Sequence, residues 1–432
     1  MNLYSTSHQV PNVNLKEAVF KGLPDDNGLF MPDHIPALSA SFFENIEKYS
    51  FQDIAFEVCK ALIGDEVPET EIRSIVNDVL TFDAPVLRVQ DNIYVLELFH
   101  GPTAAFKDFG ARFMARLMSY FLQKEKKEIM ILVATSGDTG SAVAQGFLGT
   151  PGIKVTILYP SNKVSDLQEK QLTTLGENIT ALEVLGTFDD CQRMVKQAFL
   201  DKQLTSKINL SSANSINISR LIPQSFYYFY AYAQAKKFGK PVVFSVPSGN
   251  FGNISGGLIA KKMGLPVSKF IAATNVNDIM PKYIKTGLFE PKLSVATISN
   301  AMDVGNPSNY PRVIELYNKD IEALRKDVVG KSYTDEETSE ALRNVYDKTG
   351  YIMDPHGAVG YLGLKEYLKE SNVDATGIFL ATAHPAKFIE VVNDVIGKEV
   401  EIPARLKEVM HKKKESIVIE NDFEKLKAYL LK

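Results

Sequence analysis

Only two cysteines, Cys59 and Cys191, occur in 432 residues. Two thiols so far apart build neither a disulfide framework nor a cysteine-rich zinc site. The six histidines (8, 34, 100, 356, 384 and 411) never fall into a His-Glu-x-x-His pattern, so no standard zincin helix and no metal site are expected. No run of about 18 apolar residues exists to span a membrane as a helix. Residues 1–14 are polar and lack the apolar core of a secretory signal. A reducing cytoplasm is therefore the expected compartment. Excess charge is also missing: 48 Lys plus Arg against 52 Asp plus Glu leave a net charge of −4. No broad basic field is available for nucleic acid or an anionic membrane, and a small-molecule partner is expected instead.

What is present is ordinary for a globular chain: 45% hydrophobic and 23% charged residues. The length suggests about three domains and suffices for a buried site. Residues 1–80 read as mainly helical, with apolar spacing near 3.6 residues over 54–63 and 69–80. From residue 93 the pattern changes to short apolar runs, each followed by a helical period. Strands are expected at 93–98, 129–134, 153–158, 179–184, 242–246, 270–273 and 377–381. Helices are expected at 108–122, 142–148, 166–175, 189–199, 219–238, 254–263 and 386–396. Such alternation implies parallel sheets and an α/β fold. Right-handed crossovers gather the loops after the strands at one crevice. Residues 275–350 show no strong strand and read as an insertion around the site. The run His411-Lys412-Lys413-Lys414-Glu415 reads as a solvated charged face.

Three loops carry candidate chemistry. Pro247-Ser248-Gly249-Asn250-Phe251-Gly252-Asn253 joins an apolar strand to a helix. Its glycines let backbone N–H groups converge, and the helix start adds partial positive charge, which suits a phosphate dianion. Ala104-Ala105-Phe106-Lys107-Asp108 sets a lysine among apolar residues at a helix start. Burial and the positive helix end both disfavour the ammonium, leaving the neutral amine that Schiff-base chemistry needs. A Schiff-base lysine beside a phosphate cradle points to pyridoxal phosphate. The third loop, Ser136-Gly137-Asp138-Thr139-Gly140-Ser141, offers hydroxyls and N–H groups to a substrate carboxylate; helix capping by its Ser and Thr is the plainer alternative. Nucleotide and hydrolase motifs are missing. Gly330-Lys331-Ser332 has Arg325 where a Walker loop needs glycine, and neither Gly-x-Gly-x-x-Gly after the first strand nor Gly-x-Ser-x-Gly occurs.

The chain resembles the threonine synthases in the segment His100-Gly101-Pro102-Thr103-Ala104-Ala105-Phe106-Lys107-Asp108-Phe109-Gly110. The likeness extends to Ala134-Thr135-Ser136-Gly137-Asp138-Thr139-Gly140, Ser211-Ser212-Ala213-Asn214-Ser215-Ile216-Asn217-Ile218-Ser219-Arg220 and the phosphate loop. It also includes Ala272-Ala273-Thr274-Asn275-Val276-Asn277-Asp278 and Ala381-Thr382-Ala383-His384-Pro385-Ala386-Lys387-Phe388. Order and spacing fit from about residue 1 to 400, closest to the bacterial and fungal branch.

The resemblance implies a fold type II pyridoxal-phosphate enzyme with two parallel-sheet α/β domains and a mainly helical N-terminal region. The implied division is 1–90, then 91–125 with 226–432 as the large cofactor-binding domain, and 126–225 as the smaller one. Lys107 would hold pyridoxal phosphate as a Schiff base and serve as acid and base. Gly249, Asn250, Phe251, Gly252 and Asn253 would bind its phosphate, and Thr382 its ring nitrogen. His100, Thr135, Ser136, Gly137, Asp138, Thr139 and Arg220 would contact substrate, with Lys163 and Arg112 as further candidates for its phosphate. Many members of the fold type carry Asn where this chain has Asp138, which leaves the partner of the cofactor's phenolic oxygen open. The implied reaction turns O-phospho-L-homoserine and water into L-threonine and phosphate, in a monomer or homodimer. The competing readings are another enzyme of the fold type, such as a serine/threonine dehydratase or a cysteine synthase homologue, and a non-catalytic binder. Intact Lys107 and loops speak against the last.

Overall fold

The apolar runs without a polar face become the inner strands of parallel sheets, buried on both sides. This structure is a computed structural model that describes residues 1–123, 125 and 127–432. In chain order the strands are β1 (Asn2–Ser5), β2 (Val13–Asn14), β3 (Phe30–Pro32), β4 (Val86–Gln90), β5 (Ile93–Glu97), β6 (Ile129–Ala134) and β7 (Ile153–Pro160). They continue as β8 (Ile179–Leu185), β9 (Leu210–Ser211), β10 (Val242–Pro247), β11 (Val267–Thr274), β12 (Val328–Ser332), β13 (Thr376–Ala381) and β14 (Ile417–Glu420). All six residues of β10 and of β13 are buried, as befits strands with helices on both faces.

One sheet has the order β12-β11-β10-β13-β5-β4; it is parallel except for the antiparallel edge strand β4. The other, β14-β8-β7-β6-β9, is wholly parallel. The helix Lys107–Leu122 runs from the first sheet toward the second and buries Phe109, Phe113, Leu117 and Phe121, the stripe its four-residue spacing predicts.

Several expectations need amendment. The first eighty residues hold the helices Phe51–Ile63 and Glu69–Val79 where periodicity places them, but also a small antiparallel sheet, β2-β1-β3. Strands of two to four residues are too short to display an alternation. The expected helix over 219–238 breaks into Ile218–Leu221, a 3-10 turn and Phe226–Ala235. Pro223 lies in the turn, where its missing N–H cannot continue a ladder. The insertion 275–350 contributes β12, and Gly330-Lys331-Ser332 is the end of that edge strand rather than a loop.

The expectation that all of 226–432 sides with the larger sheet also changes. β14 pairs with β8 in the other sheet, and the helix Phe423–Leu430 packs beside Phe188–Leu200. Lys414, expected in a solvated face, bridges Glu169 at 2.6 Å and Glu183 at 2.7 Å, fastening this tail. The expected division between 125 and 126 falls on residue 126, outside the described residues.

Candidate active site

The helix Lys107–Leu122 begins at the lysine itself. The turn before it is tied to the segment after β13. Phe106 donates its N–H to the Thr382 carbonyl at 2.8 Å, and His384 donates its own to the Ala104 carbonyl at 3.0 Å. Ala104 takes a left-handed conformation, φ 56°, to make that turn. Asp108 closes the turn from inside, its carboxylate accepting the Thr103 N–H at 2.9 Å and hydroxyl at 2.7 Å. Burial pushes the Asp108 carboxyl up to about 6, against those hydrogen bonds.

Lys107 makes no hydrogen bond or ion pair among the described residues. Its side chain keeps some exposure to the crevice. Protein packs closely enough that lost hydration pulls the ammonium down to about 8; Lys387 and Arg220 act the same way, and Asp138 opposes.

Beyond β6, Gly137 has φ 140°, a conformation open to glycine but strained for other residues, and turns the chain into the helix Asp138–Phe147. Thr135 is spent on this turn. Its hydroxyl oxygen accepts the N–H groups of Gly137 and Gly140 at 3.0 and 2.8 Å. The hydroxyls of Ser136, exposed, and Thr139, half-buried, have no protein partner among the described residues. Asp138 is buried, 2.6 Å from Lys387 Nζ and 3.0 Å from Gln168 Nε2. Burial alone would raise its carboxyl, but Lys387 and then Lys107 hold it well below the usual range.

The loop expected to hold a phosphate follows β10. Gly249 passes so close to residues 301 and 302 that a Cβ would sit 2.7 Å from Met302 Cα. That opposing backbone is itself pinned, the Ala301 N–H donating to His356 Nε2 at 3.1 Å while His356 Nδ1 faces Asp354 at 2.7 Å. Phe251 is left-handed, φ 60°, and caps the helix Gly252–Lys262. The N–H groups of Gly252, Asn253 and Ile254 have no partner among the described residues, as the first turn of a helix leaves its N–H groups free to bind an anion. Tyr227 and Tyr228 both donate to Asn253 Oδ1 at 2.7 Å, leaving its buried Nδ2 with no partner. Asn250 is held by Ser215 at 2.9 Å and by the Asn309 side chain on its carbonyl at 3.0 Å. Beneath them the fully buried Arg312 donates to the carbonyls of Phe30, Ser215 and Ile216 and to Asn309 Oδ1.

These features fit pyridoxal phosphate: neutral donors for a dianion, a free hydroxyl on buried Thr382, and a free amine at Lys107. Arg220 is buried beside them. Its Nη1 donates to the Ala213 carbonyl, and its Nε has no partner. Burial lowers it to about 10, with Asp108 opposing. The structure therefore brings Lys107, Asp138 and Arg220 together, and joins Thr382 to the lysine turn.

Other candidates lie elsewhere. His100, part-exposed, contacts the Glu97 carboxylate at 2.8 Å. Arg112 is consumed by the carbonyls of Asp78 and Val79, and Lys163 is exposed. His384 caps its own turn through the Ala386 N–H, and burial with Arg405 pulls it down to about 4. Sequence reasoning missed Lys387, although it lies within a quoted motif. It also missed Asn309 and Arg312, for which no local pattern exists.

Comparison with known proteins sharpens the picture. A family model described as "Pyridoxal-phosphate dependent enzyme" matches residues 80–381. Models described as "Threonine synthase N terminus" and "Threonine synthase, C-terminal" match 2–80 and 357–430. The chain is 48% identical over 433 residues to a threonine synthase of Haemophilus influenzae, covering 100% of each. It is similar to the crystal structure of threonine synthase from Escherichia coli, at 44% identity and TM-score 0.92, covering 100% of this chain and 99% of that one. A pyridoxal-phosphate-bound threonine synthase from Brucella melitensis gives 34% identity and TM-score 0.93, covering 100% and 98%.

Proposed function

The chain belongs to the threonine synthases, and from that premise we propose how its own residues divide the work. The reaction converts O-phospho-L-homoserine and water to L-threonine and phosphate, the last step of threonine biosynthesis, with pyridoxal phosphate as cofactor. The cofactor supplies an aldehyde that captures an amine and a ring that takes up electrons from the substrate's Cα.

Lys107 attaches the cofactor and, once displaced by the substrate amine, moves protons. Phosphate leaves from Cγ, so a base must first remove protons at Cα and then Cβ. Afterwards an acid protonates Cγ, the hydroxyl of water adds at Cβ, and a proton returns to Cα. Cα, Cβ and Cγ are consecutive atoms, and we assign all these transfers to the one amine of Lys107. A positioned acid–base group of this kind contributes about 10²–10⁴-fold. The observation that carries the assignment is an unpaired lysine, its ammonium brought down to about 8, at the mouth of the crevice.

Thr382 donates or accepts one neutral hydrogen bond at the ring nitrogen, a weaker electron sink than a carboxylate partner would enforce. Gly249, Asn250, Phe251, Gly252 and Asn253 hold the cofactor phosphate through N–H groups and the free Asn253 amide. Ser136, Thr139 and the N–H groups around Gly137 receive the substrate carboxylate. Arg220 serves the substrate phosphate, since its buried guanidinium makes no ion pair among the described residues and its Nε has no partner. Thr135 shapes its loop and Asp138 serves Lys387. His100, engaged by Glu97, stays a candidate at the entrance.

Both cysteines are buried free thiols, which supports a cytoplasmic setting. Every group invoked comes from one chain, so a monomer suffices and a homodimer would carry two complete sites. Borohydride reduction of the loaded protein, followed by peptide mapping, is expected to place the adduct on Lys107. An adduct on another lysine overturns the assignment.

A further inference from the structure

Two amines meet the Asp138 carboxylate in the interior of the site, while the second buried carboxylate, Asp108, acts on Lys387 and Arg220 and is held by Thr103. Lys387 Nζ lies 2.6 Å from Asp138 Oδ1 and donates to the Thr103 carbonyl at 3.0 Å, its side chain fully buried. Lys107 feels the same carboxylate but makes no ion pair with it. One carboxylate neutralises one ammonium, and a buried ammonium left without a counterion tends to shed its proton.

We propose that Lys387 is a positioning residue that engages Asp138 and thereby leaves Lys107 as the uncharged nucleophile. The proposal rests on the reading of Lys107 as the cofactor lysine and adds the reason its amine is free.

The geometry supports the division on every side. The charged groups facing Lys107 are Asp138 from the helix Asp138–Phe147, Lys387 from the turn after β13, and Arg220 from the helix Ile218–Leu221. Asp138 is the only anion of the three. It is turned toward Lys387 by Gln168, whose Nε2 donates to the same oxygen at 3.0 Å. Lys387 is itself fixed by the Thr103 carbonyl, which also accepts from Gln171 at 3.2 Å. Asp138 follows β6 and Lys387 follows β13, so the pair joins the two parallel sheets across the crevice. With Lys387 gone, the other cation that acts on Asp138 is Lys107, and the two would pair. The protein would then hold a protonated lysine where it needs a free base.

The test measures the titration of Lys107 directly. Competitive reductive methylation of the full chain, freed of cofactor, is followed by peptide mass spectrometry across pH. In Lys387→Gln, which keeps a donor for Thr103, the Lys107 midpoint is expected to rise by about 1–3 pH units. Lys387→Arg should stay near the wild type. The double variant Lys387→Met with Asp138→Asn, lacking both charges, should not rise. An unchanged or lowered midpoint in Lys387→Gln overturns the proposal, as does a raised midpoint in the double variant. Should Lys387→Gln fail to fold, Lys387→Met, which also removes the charge and keeps Asp138, takes its place with the same expected rise. Methylation reports on Lys107 whichever lysine carries the cofactor, so borohydride mapping can fail independently.

Discussion

Phe106 gives its backbone N–H to the carbonyl of Thr382 at 2.8 Å, so the residue before Lys107, the proposed cofactor lysine, is bonded to the residue proposed for the ring nitrogen. Anchor and ring partner are thus set at one distance by main chain rather than by flexible side chains. Small changes at either end can be read as chemistry, because the frame holding them is shared.

Lys107→Ala is expected to abolish release of threonine and phosphate while leaving circular dichroism and thermal midpoint essentially unchanged. The removed amine has no hydrogen bond or ion pair to lose among the described residues. Cofactor should still bind without a covalent link, retained through the phosphate loop and Thr382. Near-normal turnover would remove Lys107 from the mechanism.

Covalent capture of pyridoxal phosphate by the cofactor-free chain should accelerate with pH and level off above about 8, because the neutral fraction of Lys107 grows through its lowered value. An ordinary lysine would reach half its limiting rate only near about 10.4. Absorbance of the Schiff base followed in buffers from neutral to alkaline pH provides the curve; a midpoint above 10 contradicts the desolvated site.

Two glycines of the phosphate loop should fail differently. At Gly252 a Cβ would meet its nearest neighbours, Asn309 Nδ2 and Ser215 Cβ, at an ordinary 3.5 Å. Gly252→Asp therefore fits, and its carboxylate should weaken cofactor binding by at least about 10-fold through charge alone, the scale of about 1.4 kcal/mol. Gly249→Ala places a methyl 2.7 Å from Met302 Cα and should lower the thermal midpoint as well. Cofactor titrations beside melting curves separate the two, and unchanged affinity in Gly252→Asp would show that the loop is not the cradle.

Thr382→Val swaps a hydroxyl for a methyl of similar shape. No protein group accepts or donates to that hydroxyl among the described residues, and the Phe106 hydrogen bond uses the backbone. Turnover should fall with little loss of stability, and the absorbance of bound cofactor should shift. Wild-type kcat with an unshifted spectrum would place the ring nitrogen elsewhere.

Asp108 gives a pH signature of stability. Burial raises its carboxyl from 3.8 to about 6, so between those values the folded state holds a proton that the unfolded chain has released. Stability then falls as pH rises through that window, by about 3 kcal/mol in total. Relative to the wild type, Asp108→Asn should gain stability from about pH 4 to pH 7. Urea midpoints at both ends measure the difference, and parallel curves would refute it.

Local pattern made much of this legible. The apolar runs at β6, β7, β8, β10 and β13 need no alternation to be recognised, because burial on both faces makes them continuous. The helix start at Lys107 and the two small-residue loops follow from turn and capping chemistry. Short elements were not legible: β1 to β3 carry too few residues for a period to show. Nor was the destination of β14, since pairing with β8 is a contact between distant segments. Charged side chains were the least legible. Arg112, Lys163 and His100 read alike as anion ligands until Asp78 and Val79, open solvent and Glu97 are seen around them.

By itself, the amino-acid order determined the α/β alternation and the cofactor class and singled out Lys107 as the candidate amine, because each is written in contiguous residues whose backbone demands are local. Only the tertiary structure decided that Lys387 reaches Asp138, that Arg312 underpins Asn250 through Asn309, and that Thr382 is tied to the lysine turn. Those relations depend on which chain ends meet at the crevice, and distance along the chain carries no record of distance in space.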